Sequence, residues 1–372
     1  MHIGQNDLFN VLRLGEVFMV KKLWIYLSLI PIITSCAQTA PDILVACEEN
    51  NVGNCVVKWE TLPSIPGKVK VYASTNPNAI SEDAPVAMTD ISSGFITIVT
   101  NNPMTRYYFL MDFNGKYRYK VAARNLNIAG IQNFRDLGGY RVRNENKIVR
   151  WGMLYRSADI DNMDAEAVSA LHNLGIKTII DLRDRREVRD RSHIEKEFKV
   201  INVPVKEDEI DKFLRKIQQK EAICDTVSRL VEQSNRKMVL QNMPSYRRIF
   251  NVLLNPDNYP AIIHCSSGEG RTGIVSALIL SALDVNDDEI MEDYCLSNKY
   301  FKVTEYSKFA YDLPAEYQEA VTTVFSARQD FLDAAFDQIR TNFGDVESYL
   351  QKGVGLSKSK IRKLRSILLI DN

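Results

Sequence analysis

The sequence predicts a multidomain protein in which a small β-sandwich is followed by an α/β domain with a central, mostly parallel sheet and a helical C-terminus. The chain of 372 residues is long enough for two to three domains of about 150 residues each. Its 45% hydrophobic and 25% charged residues are typical of globular proteins and exclude collagen-like, disordered and multi-spanning membrane classes. Short strands with turn signals come first, and strands alternate with helices after them.

The composition also limits the chemistry that this chain can support. Lysine plus arginine and aspartate plus glutamate number 47 each, so the formal net charge is zero. Nucleic-acid-binding proteins normally carry an excess of basic residues, and we therefore expect no nucleic-acid partner. Only four histidines occur, and the six cysteines include no Cys-x-x-Cys pair, so we expect neither a metal site nor a cofactor.

The N-terminus has the order of features found in an export signal. Lys21 and Lys22 precede residues 23–35, an almost wholly apolar run that is too short to span a bilayer and suits the core of a signal peptide. Residues 33–36, Ile-Thr-Ser-Cys, resemble the motif of bacterial lipoprotein signals, in which the cysteine becomes the lipidated first residue. An ordinary signal peptide is the alternative.

We therefore predict that residues 1–35 are a lipoprotein signal peptide with its natural start at Met19, and that Cys36 carries the lipid. Ala37, at the second position of the mature chain, resembles sorting to the outer membrane. These features predict a protein of the cell envelope that faces the periplasm or the surface. The membrane is its partner through the lipid anchor.

Residues 36–126 have the pattern of a β-sandwich module. Asn114-Gly115 separates two strand-like segments and is a strong hairpin signal. The strand with Trp59 and the tyrosine-rich hairpin resemble a fibronectin type III or immunoglobulin-like module in pattern, without a sharp motif. The predicted strands include residues 55–60, 68–72, 94–100, 106–113 and 116–124. No cluster of ionisable residues marks a site, so we expect a spacer or a docking platform with an unknown ligand.

Two cysteines of this module lie close together in the sequence. Cys47 and Cys55 are eight positions apart and flank a polar loop. In an oxidising compartment such as the periplasm, this spacing allows a hairpin disulfide. Two separate buried thiols are the alternative.

Residues 127–372 alternate strand and helix, which predicts an α/β domain with a parallel sheet. Continuous apolar runs suit strands buried on both faces, and they occur at residues 177–183, 200–205 and 261–265. The predicted helices are residues 165–174, 211–233, 245–254 and 273–283. In the helical C-terminal part, Pro314 suits a first turn and Gly344 suits a stop.

The residues with recognisable chemistry lie in one loop, residues 264–273, which follows a buried strand and opens a helix. Gly268, Gly270 and Gly273 formally match the dinucleotide-binding fingerprint. That fingerprint requires an acidic residue about 20 positions on, at the end of a second strand. The residues that follow predict helices instead, so the context excludes this interpretation.

The alternative is the Cys265-x5-Arg271 loop of cysteine-dependent phosphatases. Backbone N–H groups from Ser266 onward can curl around a phosphate, and the positive end of the following helix favours both the anion and a thiolate at Cys265. Gly268 and Gly270 allow unusual backbone angles. Arg271 can grip two phosphate oxygens and stabilise the transition state. The predicted phosphate-binding residues are Ser266, Ser267, Gly268, Glu269, Gly270 and Arg271.

Two neighbours of this loop have predicted supporting roles. Thr272 can donate its hydroxyl hydrogen to the sulfur of Cys265 and so help the sulfur leave a phosphocysteine intermediate. His264 is predicted to order the loop by hydrogen bonding.

The loop resembles the signature of protein-tyrosine phosphatases, and residues 127–370 more specifically resemble the atypical bacterial tyrosine/serine phosphatase family. The resemblance also rests on residues 133–140, 152–157, 181–183 with Glu187, 293–298 and 343–350. It implies hydrolysis of phosphoric monoesters without a metal, in which Cys265 attacks phosphorus and water then hydrolyses the phosphocysteine. Many members carry Lys and Asp just before the loop arginine, where this chain has Glu269 and Gly270, so the acid must come from elsewhere.

A leaving phenolate or alkoxide needs a proton from a positioned acid. In related phosphatases the acid lies on the loop after the strand that precedes the phosphate-loop strand, which here is residues 206–211. We predict Asp208 as the acid, and Asp181, at the end of a neighbouring strand, as the second choice. The remaining candidates are Glu207, Glu269 and Asp211.

These features together predict an enzyme that hydrolyses phosphotyrosine, with phosphoserine and phosphothreonine as further substrates, in a phosphorylated protein or peptide. A phosphoinositide or inositol-polyphosphate phosphatase and a non-catalytic binder of phosphorylated ligands are the alternatives. Because a carboxylate at Glu269 repels a multiply phosphorylated ring, we expect a preference for phosphotyrosine peptides. The amphipathic residues 211–243 are predicted either to cover the site as a helical lid or to pack into the core.

Overall fold

The computed structural model describes residues 40–50, 53–100, 105–188, 192–207, 210–303 and 308–371. The predicted signal peptide, with Met19 and Cys36, lies outside these residues. From Pro41 onward the chain forms one compact unit, in which a strand-rich region precedes the larger domain. Within the described ranges, no helix combines the length and the apolar character that crossing a membrane requires.

The strand-rich region is built from antiparallel sheets. Its strands are β1 Asp42–Glu49, β2 Cys55–Leu62, β3 Lys68–Ser74, β4 Ala87–Asp90, β5 Phe95–Ile98, β6 Tyr108–Phe113 and β7 Tyr117–Ala122. One sheet has the order β1-β2-β5 and the other has the order β4-β3-β6-β7. Val57 and Trp59 from the first sheet pack in one core cluster with Val69 and Val71 from the second.

The hairpin between β6 and β7 turns where the sequence predicts. Asn114 and Gly115 have φ angles of 58° and 70°. Two consecutive residues with positive φ are the requirement of a type I′ turn, whose twist matches that of the flanking strands. The Asn-Gly prediction is therefore confirmed, whereas β1 and β4 were not predicted.

Cys47 and Cys55 are buried free thiols on the neighbouring strands β1 and β2. A hydrogen bond to Cys55, together with burial, raises the pKa of the Cys47 thiol. Their disulfide remains a prediction, and the contact between the two side chains is compatible with it.

The larger domain contains a five-stranded mixed sheet. Its strands are β8 Arg135–Asp136, β10 Leu154–Ser157, β11 Thr178–Asp181, β12 Lys199–Asn202 and β13 Ala261–His264. A separate two-stranded sheet pairs β9 Lys147–Val149 with β14 Leu369–Asp371. The sheet order is β12-β11-β13-β10-β8. The first four strands are parallel, and the edge strand β8 is antiparallel to β10.

Helices cover both faces of this sheet. Alternate strand residues point to opposite faces, so Ile180 and Ile263 belong to one core cluster, and Ile179 and Ile262 belong to another. Both faces are therefore buried, as the continuous apolar runs predict. The helices are α1 Ala165–Asn173, α2 Ser192–Glu197, α3 Ile210–Gln218, α4 Cys224–Gln241, α5 Met243–Leu253, α6 Gly270–Ala282, α7 Asp287–Cys295, α8 Ser297–Tyr300, α9 Ala315–Val324, α10 Gln329–Phe343, α11 Val346–Ser348 and α12 Lys358–Leu368.

The helix predicted over residues 211–233 is in fact two helices, α3 and α4. The chain breaks between them at Lys220, whose φ of 60° ends the helical path. No proline or glycine occurs in this stretch, so the local sequence carried no sign of the break. The predicted helix end at Gly344 is confirmed, because this residue, with φ of 86°, ends α10. Pro314 lies at the N-cap of α9, one position before the predicted first turn.

A buried ion pair joins the strand-rich region to the larger domain. The Nη2 atom of Arg106 lies 2.8 Å from Oδ2 of Asp136, with side chains 5% and 0% exposed. Arg106 also donates a hydrogen bond to the Tyr155 hydroxyl at 2.8 Å. The Asp136 carboxylate accepts further hydrogen bonds from the backbone N–H groups of Gly138 and Gly152. The strand-rich region is therefore docked on the larger domain through desolvated, hydrogen-bonded charges.

Candidate active site

The predicted phosphate loop lies at the C-terminal end of β13, the middle strand of the sheet, and runs directly into α6. Cys265 follows the strand and is 1% exposed. Its Sγ atom accepts a hydrogen bond from the backbone N–H of Gly268 at 3.2 Å. Because the positive end of α6 begins at Gly270, the loop combines a sulfur nucleophile with a field that favours anions.

The two glycines of the loop are needed for different reasons. Gly268 has a φ of 70°, and a Cβ there would lie 2.4 Å from the carbonyl oxygen of Ser157. Gly270 opens α6 without a positive φ, and a Cβ there would lie 2.7 Å from Oε1 of Glu207. The predicted conformational reason is therefore confirmed for Gly268 and wrong for Gly270, where the missing side chain leaves room for a carboxylate.

The guanidinium of Arg271 is surrounded by carboxylates. It donates from Nη1 and Nη2 to the two oxygens of Glu187, at 2.7 and 2.6 Å. Its Nε atom lies 3.0 Å from Oε2 of Glu207. Burial lowers the pKa of Arg271, but the charges of Glu207, Cys265 and Glu187 outweigh burial and raise it. Arg271 is therefore held as a cation next to the nucleophile.

Glu187 is a site residue whose role the sequence does not indicate. Besides Arg271, its carboxylate accepts hydrogen bonds from the Ser266 hydroxyl at 3.0 Å and from the backbone N–H of Asp184 at 2.9 Å. Burial raises the pKa of Glu187, but the hydrogen bonds and the charge of Arg271 outweigh it and lower the pKa. The only signal in the sequence was its place in the third stretch of the family resemblance.

A set of buried polar residues supports the loop from behind. Asn133 donates from Nδ2 to the carbonyl oxygens of Ser267 and Gly268, at 3.2 and 3.1 Å. Arg156 donates from Nη2 to the same carbonyl of Gly268 at 2.7 Å. These bonds fix the peptide groups of the loop, so the position of the N–H group that contacts Cys265 depends on residues far away in the sequence.

Asp293 connects the two arginines of this set. Its carboxylate accepts hydrogen bonds from Arg135 Nε at 3.1 Å, from Arg156 Nη1 at 2.6 Å and from the Tyr140 hydroxyl at 3.1 Å. Burial raises the pKa of Asp293, but Arg135 and Arg156 outweigh it and hold the pKa well below its usual range. These residues belong to the stretches that carry the family resemblance, which is the signal by which they could have been found.

His264 immediately precedes Cys265 at the end of β13, and Thr272 lies in the first turn of α6. His264 is buried, its Nε2 atom lies 3.7 Å from Oδ1 of Asp181, and burial lowers its pKa. The Thr272 hydroxyl is buried and has no hydrogen-bond partner in the part of the chain that the structure describes. Their predicted roles, ordering the loop and assisting the sulfur, stay predictions.

Asp181 occupies a position that is poorly suited to an acid. It is 1% exposed, and Arg183 donates to its carboxylate from Nε at 3.1 Å and from Nη2 at 3.0 Å. Burial raises the pKa of Asp181, but the charge of His264 and the hydrogen bonds of Arg183 outweigh it and lower the pKa. A carboxyl group held in its ionised form donates a proton reluctantly, so the geometry favours a structural role for Asp181.

Of the other predicted acids, Asp208 lies outside the described residues, and the side chain of Asp211 is not described. Glu207 contacts Arg271, as given above. Glu269 is 5% exposed, and burial, with the charge of Glu207, raises its pKa to about 8. Burial therefore disfavours the ionised form of Glu269, which weakens the expectation that its negative charge repels polyphosphorylated substrates.

Glu207 and Glu269 line a cavity beside the loop. Part of its wall comes from residues 211–243, the segment predicted as a possible lid. Phe213 of α3 and Asn235 of α4 contribute to its wall. The other lining residues are Val231, Ser234, Ser267, Gly270, Tyr294 and Val324. Helices α3 and α4 thus border the site while packing on α9. Among the residues with described positions, no group of three or more His, Cys, Asp or Glu side chains could hold a metal ion.

A thiol and an arginine on one loop, between a parallel strand and a helix N-terminus, define the site of a cysteine-dependent phosphatase. Comparison with known families agrees with this class, because residues 126–370 match the profile described as the tyrosine phosphatase family. The match covers well over half of the chain, and the chain belongs to this family.

Individual relatives are similar over the same region. The triple specificity protein phosphatase PtpB of Mycobacterium tuberculosis is 26% identical over 283 residues, which are 67% of this chain and all of that protein. A tyrosine-protein phosphatase of Cupriavidus necator is 27% identical over 247 residues, covering 62% of this chain and 85% of the relative.

Solved structures give weaker matches. The catalytic core of the PP-IP phosphatase SIW14 from S. cerevisiae has a TM-score of 0.28 and 18% identity, covering 58% of this chain and 95% of the other. TpbA of P. aeruginosa has a TM-score of 0.24 and 16% identity, covering 53% and 96%.

Proposed function

We propose that this protein hydrolyses phosphotyrosine in proteins or peptides, with Cys265 as the nucleophile. The observation that carries the proposal is the loop itself, in which Cys265 Sγ, the N–H of Gly268 and the guanidinium of Arg271 converge at the start of α6. Family membership and the tyrosine-protein phosphatase among its relatives support the same activity. Phosphoserine and phosphothreonine are secondary substrates in this proposal.

The reaction takes two steps. The thiolate of Cys265 attacks phosphorus while Arg271 and the loop N–H groups stabilise the charge on the phosphoryl oxygens, and an acid protonates the leaving oxygen. Water then attacks the phosphocysteine, the resulting carboxylate base takes up the proton, and phosphate and the thiolate are regenerated. Asp208 was the acid predicted from the sequence.

The charges around Arg271 support a substrate with a single phosphate. Glu187 and Glu207 both contact this one guanidinium, so the cationic centre is already matched by carboxylates. One incoming dianion can replace a carboxylate at Arg271, whereas the further phosphates of an inositol polyphosphate would meet negative charge without a partner.

A substrate panel tests the proposal. In the presence of EDTA, we expect kcat/KM for a phosphotyrosine peptide to exceed the values for a phosphoserine peptide, a phosphoinositide and inositol hexakisphosphate by about tenfold or more, which corresponds to about 1.4 kcal/mol in transition-state binding. A preference for inositol hexakisphosphate would overturn the substrate assignment. Binding of the phosphotyrosine peptide without any turnover would show instead a non-catalytic binder.

The strand-rich region is, in our proposal, a β-sandwich of fibronectin type III or immunoglobulin-like type. Its two antiparallel sheets contribute to one shared core, and Trp59 packs edge-on against Phe113 between them at a ring distance of 6.1 Å. Aligned antiparallel sheets with alternating inward residues are the general pattern of such modules. An unknown ligand of this region is part of the same proposal.

We also propose that the protein is a lipoprotein of the cell envelope, anchored in the outer membrane through Cys36. The basic, apolar and cysteine-containing order of the N-terminal sequence supports this. Cys36→Ala is expected to abolish labelling by a radioactive fatty acid and to release the phosphatase from the membrane fraction. Cys224→Ser serves as the control, because Cys224 lies on α4 in the catalytic domain. A mature N-terminus at a residue other than Cys36 would contradict the proposal.

A further inference from the structure

The two carboxylates that contact Arg271 are not held equally. The carboxylate of Glu187 accepts hydrogen bonds from Nη1 and Nη2 of Arg271. It is held in place by further hydrogen bonds from the Ser266 hydroxyl and the backbone N–H of Asp184. Glu207 lies 3.0 Å from Nε, but this contact lacks the alignment of a hydrogen bond, and Nε has no hydrogen-bond acceptor among the described residues. The side of Arg271 that carries Nε is therefore the side that a phosphate can take over.

A phosphate gripped by two parallel N–H bonds needs two neighbouring donors of the guanidinium. With Glu187 in place, these donors are Nε and the second N–H of Nη2. The Nη2 nitrogen also lies 3.3 Å from the hydroxyl oxygen of Ser266. Glu207 stands at Nε, so a bound phosphate and the present position of its carboxylate exclude each other. Gly270 provides the space in which this carboxylate now lies, with Oε1 2.7 Å from the position of a Cβ.

We propose that Glu207 is the catalytic acid, and that the substrate phosphate prepares it for this role by displacing it from Arg271. The proposal rests on the phosphatase function proposed above and identifies the proton donor of that reaction. It places the acid one residue before Asp208, on the same loop after β12.

The surroundings explain why the displaced carboxyl group takes up a proton. Away from Arg271 it loses a cationic partner, its side chain is only 16% exposed, and the phosphate dianion is a new negative neighbour. Each of these changes favours the neutral acid. The titratable groups that line the cavity with Glu207 are Glu269 of the loop and Tyr294 of α7. Outside the lining, Arg156 contacts the carbonyl of Gly268 and Glu187 contacts Arg271.

Glu269 supplies a proton to this pair at neutral pH. Burial and the charge of Glu207 raise its pKa to about 8, while Arg156 acts in the opposite direction. Two carboxyl groups that line one cavity titrate as a coupled pair, so they hold about one proton between them near neutral pH. Displacement of Glu207 moves that proton from Glu269 to Glu207, which makes Glu269 a positioning residue.

The proton balance then closes over the cycle. As the S–P bond forms and the P–O bond to the leaving group breaks, Glu207 gives its proton to the leaving oxygen and becomes a carboxylate. In the second step this carboxylate accepts a proton from the water that attacks the phosphocysteine. Release of phosphate then allows Glu207 to return this proton to Glu269 and to pair with Arg271 again as a carboxylate.

Glu207→Gln separates this role from a structural one. We expect kcat for phenyl phosphate, a poor leaving group, to fall by about 10²-fold, and kcat for p-nitrophenyl phosphate to fall much less. KM for both substrates is expected to fall, because the neutral amide no longer competes for Arg271. In a plot of kcat against pH, the fall on the basic side, which reports the loss of the proton from the acid, is expected to disappear in this variant. Glu221→Gln, an exposed change next to α4, is the matched control and should alter none of these.

Glu269→Gln tests the coupled pair. With Glu207 as the one carboxyl group of the pair, we expect its proton to be lost at lower pH. In a plot of kcat against pH, the fall on the basic side therefore moves to lower pH, while kcat on the acidic side is retained. An unmoved limb would overturn the role of Glu269. If Asp208→Asn shows the leaving-group dependence and Glu207→Gln does not, the acid assignment is wrong while the phosphatase proposal stands. The phosphatase proposal itself fails only if turnover does not need Cys265.

Discussion

Cys265→Ser is expected to abolish turnover of phosphotyrosine peptides and of p-nitrophenyl phosphate, with a loss of at least about 10⁴-fold in kcat. A serine hydroxyl remains protonated at neutral pH, so the variant lacks the anionic nucleophile that attacks phosphorus. The cradle for the anion is expected to persist, because Asn133 and Arg156 hold the loop carbonyls of Ser267 and Gly268 without involving the sulfur. Calorimetric titration with inorganic phosphate should therefore still show binding.

Cys224→Ser provides the control for this experiment as well. The thiol of Cys224 lies 3.2 Å from the Thr323 hydroxyl, and a serine can keep that contact. Wild-type turnover is expected for this variant. Substantial activity in Cys265→Ser, measured against a preparation free of contaminating phosphatases, would refute a cysteine nucleophile. Loss of phosphate binding in the same variant would show that the loop had collapsed, and phosphate release from a trapped phosphocysteine in the wild type would then decide the mechanism.

Asp293→Asn is expected to lower the free energy of unfolding by about 3–5 kcal/mol. The carboxylate is buried between Arg135 and Arg156, and without it two desolvated guanidinium groups lose their counter-charge. Denaturant unfolding followed by circular dichroism measures this loss. Because Arg156 also holds the carbonyl of Gly268, kcat is expected to fall under conditions in which the variant is still folded.

The pH dependence of this difference has a definite sign. The pKa of Asp293 is depressed in the folded protein, so its contribution is present above about pH 4, the unfolded value, and is lost as the pH falls below it. Wild type and variant should therefore approach each other in acid. Asp337→Asn removes one partner of the exposed pair with Arg340 and should change stability little. A loss of less than about 1 kcal/mol for Asp293→Asn would contradict the assigned role.

The local features of the site were predictable because they depend on neighbours in the sequence. The strand before Cys265, the helix after it and the positive φ of Gly268 follow from the residue types within the loop. The turn at Asn114-Gly115 and the helix end at Gly344 have the same local origin.

The supporting residues could not be predicted in their roles, because their contacts are long-range. Arg135 and Asp293 are 158 positions apart and meet only once the sheet is formed. Glu187 and Glu207 reach Arg271 from two different loops, and nothing in the residues around Gly270 indicates that a carboxylate from elsewhere fills its space. The break at Lys220 is likewise set by packing on α9, since the stretch itself contains no helix breaker.

The ion pair of Arg106 and Asp136 has a consequence for how the two regions fold and evolve. Asp136 also holds the backbone at Gly138 and Gly152, so removal of the strand-rich region would take away its cationic partner Arg106 and uncover a carboxylate that is now fully buried. Each region therefore stabilises the other through this ion pair. A substitution or loss of the strand-rich region would therefore require matching changes in the catalytic domain, at the residues Asp136 and Tyr155 that bind Arg106.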